Sequence, residues 1–304
     1  MSRTVFLGTS EFAATVLRRL ADSPHRPLLV VTPPDRPKGR GRPTLPPPAA
    51  KAADELELEL LQTADVNEPE ALDAIRSVGP EVAGVCAFGQ LIREPLLSEL
   101  EMLNVHPSLL PRWRGAAPIE RAIMAGDEET GVSVMRVTAG LDSGPVALQE
   151  RTPIGADEDF GSLEARLAEV GAELLVRALD LRAAGKLQLS EQEDAAATYA
   201  EKIAPGERRL DPTLPAIELA RVVRALTPHT GAYVELEGGD RLGVRCVSVA
   251  EAAGDPGELT ARGGALLLGC AEGALRLQVV QPPGGRAMPA DAYLRGHAPT
   301  GRVV

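Results

Sequence analysis

The first 184 residues alternate short apolar segments with amphipathic ones, and this alternation restricts the fold more than any other feature. The apolar segments have the length of strands, and the amphipathic ones repeat apolar residues at helical spacing. The predicted strands are 3–8, 27–32, 57–61, 81–88, 102–106, 131–138 and 145–150, and the predicted helices are 11–21, 48–56, 68–78 and 161–184. Strands that alternate with helices are typical of a doubly wound, mostly parallel sheet. We therefore predict an N-terminal α/β domain.

The pattern changes after the last of these helices. Residues 186–214 are polar and contain prolines, which is typical of a segment between domains. A helix at 215–226 is followed by strand-like segments at 232–237, 241–250, 264–270 and 274–280, which glycine-rich turns separate. Short strands in this arrangement indicate a small antiparallel β-barrel of the OB type. We predict a catalytic domain at 1–189, a linker at 190–204 and a barrel domain at 205–304.

The composition is that of a globular protein without a membrane span. Hydrophobic residues make up 44% and charged residues 25% of the 304 positions, which are ordinary values. No apolar run approaches the roughly 18 residues of a membrane helix, and the N-terminus lacks the pattern of a secretory signal. Cys86, Cys246 and Cys270 match neither a metal site nor a disulfide framework, so we expect small buried hydrophobic residues. These features predict a cytoplasmic protein that requires no metal.

The net charge of −11 arises entirely from residues 1–204, because residues 205–304 contain 11 arginines and 11 acidic residues. A nucleic-acid partner would therefore have to meet a local basic segment rather than the average surface. Segment 35–42 has a net charge of +3, and its positive residues are Arg36, Lys38, Arg40 and Arg42. Composition alone favours a solvated loop. However, the glycines of this segment allow close approach to a backbone, and it follows the carboxyl end of the second strand.

The glycine after the first strand does not indicate a dinucleotide site. The second and third glycines of a G-x-G-x-x-G motif are missing after Gly8. Glu11 also lies where a pyrophosphate would have to approach the helix. The sequence therefore disfavours nicotinamide and flavin chemistry.

Asn104, His106 and Asp142 form a candidate catalytic set. Asn104 and His106 are two positions apart at the carboxyl end of a predicted parallel strand, so both side chains leave the same face. An amide can stabilise a developing oxyanion, an imidazole can exchange a proton, and Asp142 in a tight turn could orient the imidazole. The chain has no G-x-S-x-G elbow and no plausible Cys–His pair, so the substrate supplies the nucleophile. Taken alone, an Asn-x-His pair is also compatible with an ordinary strand end.

Longer motifs around these residues resemble those of a known family. Residues 104–119 read Asn-Val-His-Pro-Ser-Leu-Leu-Pro-Arg-Trp-Arg-Gly-Ala-Ala-Pro-Ile, and residues 141–144 read Leu-Asp-Ser-Gly. Both resemble the signature of the folate-dependent formyltransferases. The similarity to methionyl-tRNA formyltransferases in particular extends over nearly the whole chain, including segments 6–13, 34–41 and 198–203.

The resemblance implies a role for each matching residue. It implies catalysis by Asn104, His106 and Asp142, with 10-formyltetrahydrofolate as co-substrate and initiator methionyl-tRNA as formyl acceptor. The residues that it assigns to the folate site are Ser108, Leu109, Leu110 and Pro111, together with Phe88, Gly89, Gln90, Leu91 and Ile92. It assigns Arg36, Lys38, Arg40 and Arg42 to a loop that meets the tRNA acceptor arm. It also implies a monomer.

Two alternative functions remain open at this stage. The first is a formyltransferase that acts on a small amine, such as a purine intermediate or an amino sugar nucleotide, which needs neither the basic loop nor the barrel. The second is a non-catalytic RNA-binding protein, against which the intact catalytic set argues. Residues 226–233 and Asp211-Pro212 depart from the more aromatic family pattern, which weakens inference about tRNA contacts of the barrel. Trp113 is compatible with packing or with substrate contact.

Overall fold

The computed structural model describes residues 1–37, 44–251, 254–297 and 301–303. Within these ranges, no helix is long and apolar enough to cross a membrane. The chain divides into two compact units: the first comprises Met1–Gly115, Glu129–Pro153 and Glu164–Tyr199, and the second comprises Ala116–Glu128, Ile154–Leu163 and Ala200–Val304. The predicted division into catalytic domain, linker and barrel domain concerns function and stays a prediction.

The elements follow one another in a βα order up to residue 183 and are mostly β after residue 226. The first part contains β1 Thr4–Gly8, α1 Glu11–Ala21, β2 Pro27–Thr32, β3 Arg36–Pro37, β4 Thr44–Leu45, α2 Pro48–Glu55, β5 Leu60–Gln62, α3 Pro69–Ser77, β6 Val82–Cys86, α4 Leu96–Glu99, β7 Met102–His106, β8 Arg114–Gly115, α5 Pro118–Ala125, β9 Glu129–Arg136, β10 Val146–Pro153 and α6 Phe160–Ala183. The second part contains β11 Tyr199–Ala200, α7 Ala216–Leu226, β12 Ala232–Glu235, β13 Arg241–Ala250, β14 Glu258–Arg262, β15 Ala265–Gly269, β16 Ala274–Gln281, β17 Met288–Pro289, α8 Ala290–Leu294 and β18 Gly301–Arg302.

The first unit contains a seven-stranded sheet in the order β10-β9-β7-β6-β1-β2-β5. The five strands from β7 to β5 are parallel, and β9 and β10 continue the sheet in antiparallel fashion. The parallel neighbours are joined through helices, as the alternating sequence pattern requires. The prediction of a mostly parallel α/β sheet is therefore confirmed.

Helices pack on both faces of this sheet, and β7 contributes side chains to each. An added Cβ on Gly171 of α6 would lie 2.6 Å from Val105 Cγ1, so α6 packs closely against one face. Met102 belongs instead to the apolar cluster that includes residues of α3. Because side chains alternate between faces along a strand, Asn104 and His106 share the face of Met102. Both residues lie towards the carboxyl end of β7, at the edge where open α/β sheets place their sites.

The second unit contains a closed antiparallel barrel. Its strands follow the order β12-β13-β16-β15-β14-β18, and β17 also pairs with β16. A bridge between Leu236 and Val303 joins the two ends of this order, so the sheet closes on itself. Alternate residues along the strands point inward and are buried, among them Leu242 with Val244. The prediction of a small β-barrel is confirmed.

The cysteines only partly match the expectation from sequence. Cys86 and Cys270 are buried, as small hydrophobic residues are, but Cys246 on β13 is exposed. The expectation is therefore wrong for Cys246, because the pairing of β13 with β16 shifts register between Val244 and Cys246 and interrupts the alternation that would otherwise turn this residue inward.

Candidate active site

The Asn104 amide lies beside His106 on the same face of β7 and is available to a ligand. Asn104 is partly exposed, whereas His106 is buried. Among the described residues, none forms a hydrogen bond with the side chain of Asn104. A polar group that has no protein partner at the carboxyl edge of a sheet is free to form a hydrogen bond with a ligand.

The two ring nitrogens of His106 have different partners. Nε2 lies 2.8 Å from the backbone oxygen of Trp113. A carbonyl oxygen only accepts hydrogen bonds, so Nε2 carries a proton and donates it to this contact. Nδ1 lies 3.6 Å from Oδ2 of Asp142, which is longer than a hydrogen bond. Nδ1 is therefore the nitrogen that remains available to exchange a proton with substrate.

Asp142 is fixed in a tight turn between β9 and β10. Its Oδ2 accepts a hydrogen bond of 2.9 Å from the amide of Gly115. Asp142 has a φ of +45°, which L residues rarely adopt. An added Cβ on Gly144 would collide with the carbonyl oxygen of Arg136, so only glycine permits this close return of the chain. The structure thus brings together the three residues predicted as the catalytic set.

The side chains of Ser133 and Gln149 form hydrogen bonds with the backbone of the predicted folate segment Ser108–Pro111. Ser133 Oγ donates to the Ser108 oxygen at 2.6 Å and accepts from the Leu110 amide at 3.1 Å. Gln149 Nε2 donates to Ser133 Oγ at 2.8 Å and to the Leu110 oxygen at 2.9 Å. The Ser133 hydroxyl thereby uses its donor and both of its acceptor positions. These contacts fix the backbone of the segment.

The second predicted folate segment, 88–92, combines anchored and open positions. The Phe88 oxygen accepts a hydrogen bond of 2.7 Å from Thr9 Oγ1, and Phe88 and Ile92 are buried. Both ends of the Gln90 amide are used, because Oε1 accepts from the Val66 amide at 2.7 Å and Nε2 donates to the Thr63 oxygen at 2.8 Å. Gln90 therefore positions the segment through its own contacts.

Two positions of that segment remain open to a ligand. Leu91 is 64% exposed, so its apolar side chain is accessible to a ligand. Among the described residues, no atom lies within 4 Å of a Cβ added to Gly89. The segment therefore offers apolar surface beside free space.

Only one residue of the predicted tRNA loop can be placed. Arg36 is exposed on β3, which pairs with β4. Lys38, Arg40 and Arg42 lie outside the described residues.

Sequence reasoning missed the residues that hold the candidate site in place. These are Trp113, Gly115, Ser133, Gln149 and Gln192. Their contacts connect residues that are far apart in the chain or use backbone atoms, so local patterns carry little signal for them. A partial signal existed for Trp113 and Gly115, because both belong to the segment 104–119.

The chain resembles known proteins over nearly its whole length. Residues 2–179 match the formyl transferase family model, and residues 202–298 match the model for the formyl transferase C-terminal domain. The chain is 44% identical over 289 residues to the methionyl-tRNA formyltransferase of Pseudomonas fluorescens, covering 94% of this chain and 90% of that relative. It is 43% identical over 304 residues to the enzyme of the same name from Methylococcus capsulatus, covering 99% and 98%.

Solved structures show the same fold at lower identity. HypX from Aquifex aeolicus, solved in complex with tetrahydrofolic acid, superposes with a TM-score of 0.66 at 19% identity. The match covers 96% of this chain and 47% of HypX, so the chain spans about half of that longer protein. The sequence relatives cover nearly the full chain at an identity that shows common family membership. The chain therefore belongs to the formyltransferase family and, within it, to the methionyl-tRNA formyltransferases.

Proposed function

We propose that this chain transfers the formyl group of 10-formyltetrahydrofolate to the amino group of initiator methionyl-tRNA, giving N-formylmethionyl-tRNA for translation initiation. The observation that carries the proposal is the arrangement around His106. Its Nε2 is bound to a backbone oxygen and its Nδ1 faces Asp142, while the Asn104 amide beside it has no partner among the described residues. The named relatives supply the identity of the acceptor.

The three side chains divide the work of acyl transfer. The methionyl amine forms the new C–N bond to the formyl carbon, and the bond from that carbon to the folate nitrogen breaks. Asn104 donates a hydrogen bond to the formyl oxygen as it gains negative charge, and the Nδ1–H of protonated His106 supports the same charge. Asp142 stabilises the charged imidazole and assists transfer of the amine proton to the leaving nitrogen.

The residues present fit a folate co-substrate. Segment 88–92 offers the exposed Leu91 and the open space beside Gly89, which suit a flat heterocycle. Segment 108–111 has a backbone that Ser133 and Gln149 hold in place. The co-substrate supplies the formyl group at the correct oxidation level, so the proposed chemistry assigns no step to a metal.

The proposed acceptor also implies where and how the chain acts. Initiator tRNA is charged and used in the cytoplasm, so we place the activity there. Binding involves the basic loop of Arg36, Lys38, Arg40 and Arg42, and the domain at 205–304 contributes to tRNA binding. One chain contains all of these segments, and a monomer therefore suffices.

Formyl transfer by the purified full-length chain tests the proposal. Charged initiator tRNA is compared with a purine-ribonucleotide amine and an amino sugar nucleotide, each with 10-formyltetrahydrofolate. We expect kcat/KM for methionyl-tRNA to exceed that for either small amine by at least about a hundredfold, or about 2.7 kcal/mol. Faster transfer to a small amine would support the alternative acceptor class. No transfer to any acceptor, with RNA binding intact, would support a non-catalytic RNA-binding protein.

A further inference from the structure

Arg114 is a buried charge that directly follows a residue of the candidate site. Its side chain is 4% exposed, and the preceding residue, Trp113, provides the carbonyl that binds His106. Arg114 Nε donates to Gln192 Oε1 at 3.0 Å, and its Nη2 donates to Asp194 Oδ1 at 2.8 Å. Burying a guanidinium costs free energy even when it is paired. Stability alone is therefore a weak reason for an arginine at this position.

Gln192 connects Arg114 to the turn that carries the catalytic carboxylate. Its Nε2 donates to the backbone oxygen of Asp142 at 2.8 Å and to that of Gly144 at 2.7 Å. The side chain thus uses its oxygen towards Arg114 and its nitrogen towards the turn. Nothing in the local sequence around position 192 indicates this contact, because the turn lies about fifty residues earlier.

Both partners of His106 depend on backbone conformations that L residues disfavour. Trp113 has a φ of +62° and Asp142 a φ of +45°. Such residues persist when surrounding contacts hold them. Arg114 is adjacent to the first, and Gln192 bonds the carbonyl of the second. One hydrogen-bonded pair therefore ties together both segments that orient the imidazole.

We infer that Arg114 and Gln192 are positioning residues for formyl transfer, which keep the Trp113 carbonyl and the Asp142 carboxylate in place around His106. This role deepens the proposed function and rests on it. Both residues act through these two groups. Their removal displaces the groups that orient His106, and displacements of about 1 Å at a catalytic group cost on the order of a hundredfold in rate.

The variant Gln192→Glu tests the positioning role in a protein that still folds. A glutamate keeps an oxygen towards Arg114 but cannot donate to the carbonyls of Asp142 and Gly144. We expect kcat for methionyl-tRNA to fall about 10- to 100-fold, while KM for both substrates changes little and the protein stays folded at the assay temperature. The matched control is Gln188→Glu, the same charge change at an exposed position of the same segment, which should leave kcat unchanged. Equal kcat values for the folded Gln192→Glu and Gln188→Glu proteins would overturn the inference.

A double variant tests whether Gln192 acts through Asp142. Groups that work as a unit give non-additive losses. In an Asp142→Asn background, Gln192→Glu should therefore lower kcat by less than about threefold further. If the two losses multiply in full, Gln192 acts by another route and the positioning role is wrong.

A measurement without turnover separates failure of this inference from failure of the proposed function. The chain has 4 histidines, so the ring signals of His106 can be resolved by NMR from those of His25, His229 and His297. Gln192→Glu should shift the His106 ring signals and leave the other three in place. Unmoved His106 signals would overturn the positioning role. Shifted signals in a chain that formylates no methionyl-tRNA would uphold the positioning and overturn the proposed function.

Discussion

The surroundings of His106 give its two ring nitrogens different partners. The Trp113 carbonyl occupies Nε2 and thereby fixes which nitrogen bears the proton in the neutral ring. Nδ1 lies 3.6 Å from Oδ2 of Asp142, which is too far for a hydrogen bond. Nδ1 therefore remains free to contact a ligand. The imidazole is buried, so a charge on it depends on Asp142 for compensation.

Alanine variants of the two β7 side chains should separate rate from binding. We expect His106→Ala and Asn104→Ala each to lower kcat by about a hundredfold or more, with folate affinity nearly unchanged, since the proposed mechanism assigns both to charge that develops in the transition state. Val105→Ala is the control on the same strand. It removes buried methyl groups from the opposite face, so it should lower the thermal midpoint while kcat stays within about twofold. Near-normal turnover of folded His106→Ala would contradict the assignment.

A second prediction concerns how the three cysteines react with thiol reagents. Burial raises the pKa of the Cys86 and Cys270 thiols, so both resist thiol reagents in the folded chain. Cys246 is exposed, although partial burial of its sulfur and the carboxylates of Asp159 and Asp157 raise its pKa as well. We expect one thiol per native chain to react with an aromatic disulfide reagent, more slowly than free cysteine, and three after unfolding. Cys246→Ser should abolish the native reaction, and a second reactive native thiol would contradict the burial.

The proximity of Asn104, His106 and Asp142 could be predicted because the signals for it are local. Asn104 and His106 lie two apart on one strand, and the turn around Asp142 is marked by Gly144. The contact of His106 with the Trp113 carbonyl could not be predicted, since it uses a backbone atom whose orientation depends on a positive φ.

Among the elements, those with strong periodicity were predictable and short ones were not. The predicted strand 27–32 and helix 11–21 have the observed bounds, and Ser10 caps that helix, with its Oγ 3.3 Å from the Ala13 amide. The helix α5 was missed because it is only 8 residues long and follows a proline-containing motif. The strand β14 was missed because glycines flank it and three of its five residues are polar.

A substitution at Gly131 tests whether β9 supports the predicted folate segment. An added Cβ there would collide with the Glu150 carbonyl of β10 and would lie 2.6 Å from Leu109 Cδ2. We expect Gly131→Ala to raise KM for 10-formyltetrahydrofolate several-fold and to destabilise the fold by about 1–3 kcal/mol, as overpacking does. In Gly206→Ala, the control, no described atom lies within 4 Å of the new Cβ, so neither quantity should change. An unchanged folate KM in Gly131→Ala would place Leu109 outside the binding site.

The contact between α5 and residue 207 predicts an acid-sensitive contribution to stability in the second unit. Arg121 meets Glu207 with two hydrogen bonds of 2.5 and 3.1 Å, which together with the Ala204 amide lower the pKa of Glu207 below its ordinary 4.5. The carboxylate therefore stabilises the fold at neutral pH, and this stabilisation is lost as pH falls below about 4.5. Because the pair is partly exposed, it contributes less than about 1 kcal/mol to the free energy of unfolding.

Thermal unfolding of Glu207→Gln measures this contribution. The midpoint should fall by about 1–3 °C at pH 7, and the difference from the native chain should shrink towards pH 3. Glu237→Gln removes an exposed carboxylate elsewhere in the second unit and should lower the midpoint at neither pH. A Glu207→Gln difference that persists at pH 3 would assign the effect to something other than the ion pair.

The protein as a whole is acidic, although its formyl acceptor is a polyanion. The net charge is −11, and residues 205–304 are neutral overall. Long-range attraction therefore cannot come from the average surface, and at moderate salt it is screened over about 10 Å. A local group of positive charges must make the phosphate contacts, and the segment 35–42, with its net charge of +3, is the sequence feature that provides one.

Arg40→Ala distinguishes a local phosphate contact from an effect of net charge. We expect it to raise KM for methionyl-tRNA by about tenfold or more, while KM for folate is unchanged. The slope of log affinity against log salt should also become shallower by about 1, because one counterion fewer is released. Arg3→Ala is the matched control, since it changes the net charge equally but lies just before β1, at the amino edge of the parallel strands. If Arg3→Ala weakens tRNA use as strongly, the effect belongs to net charge. If Arg40→Ala weakens folate and tRNA equally, the segment supports the fold rather than the acceptor, and unchanged tRNA kinetics would leave 35–42 as a solvated loop.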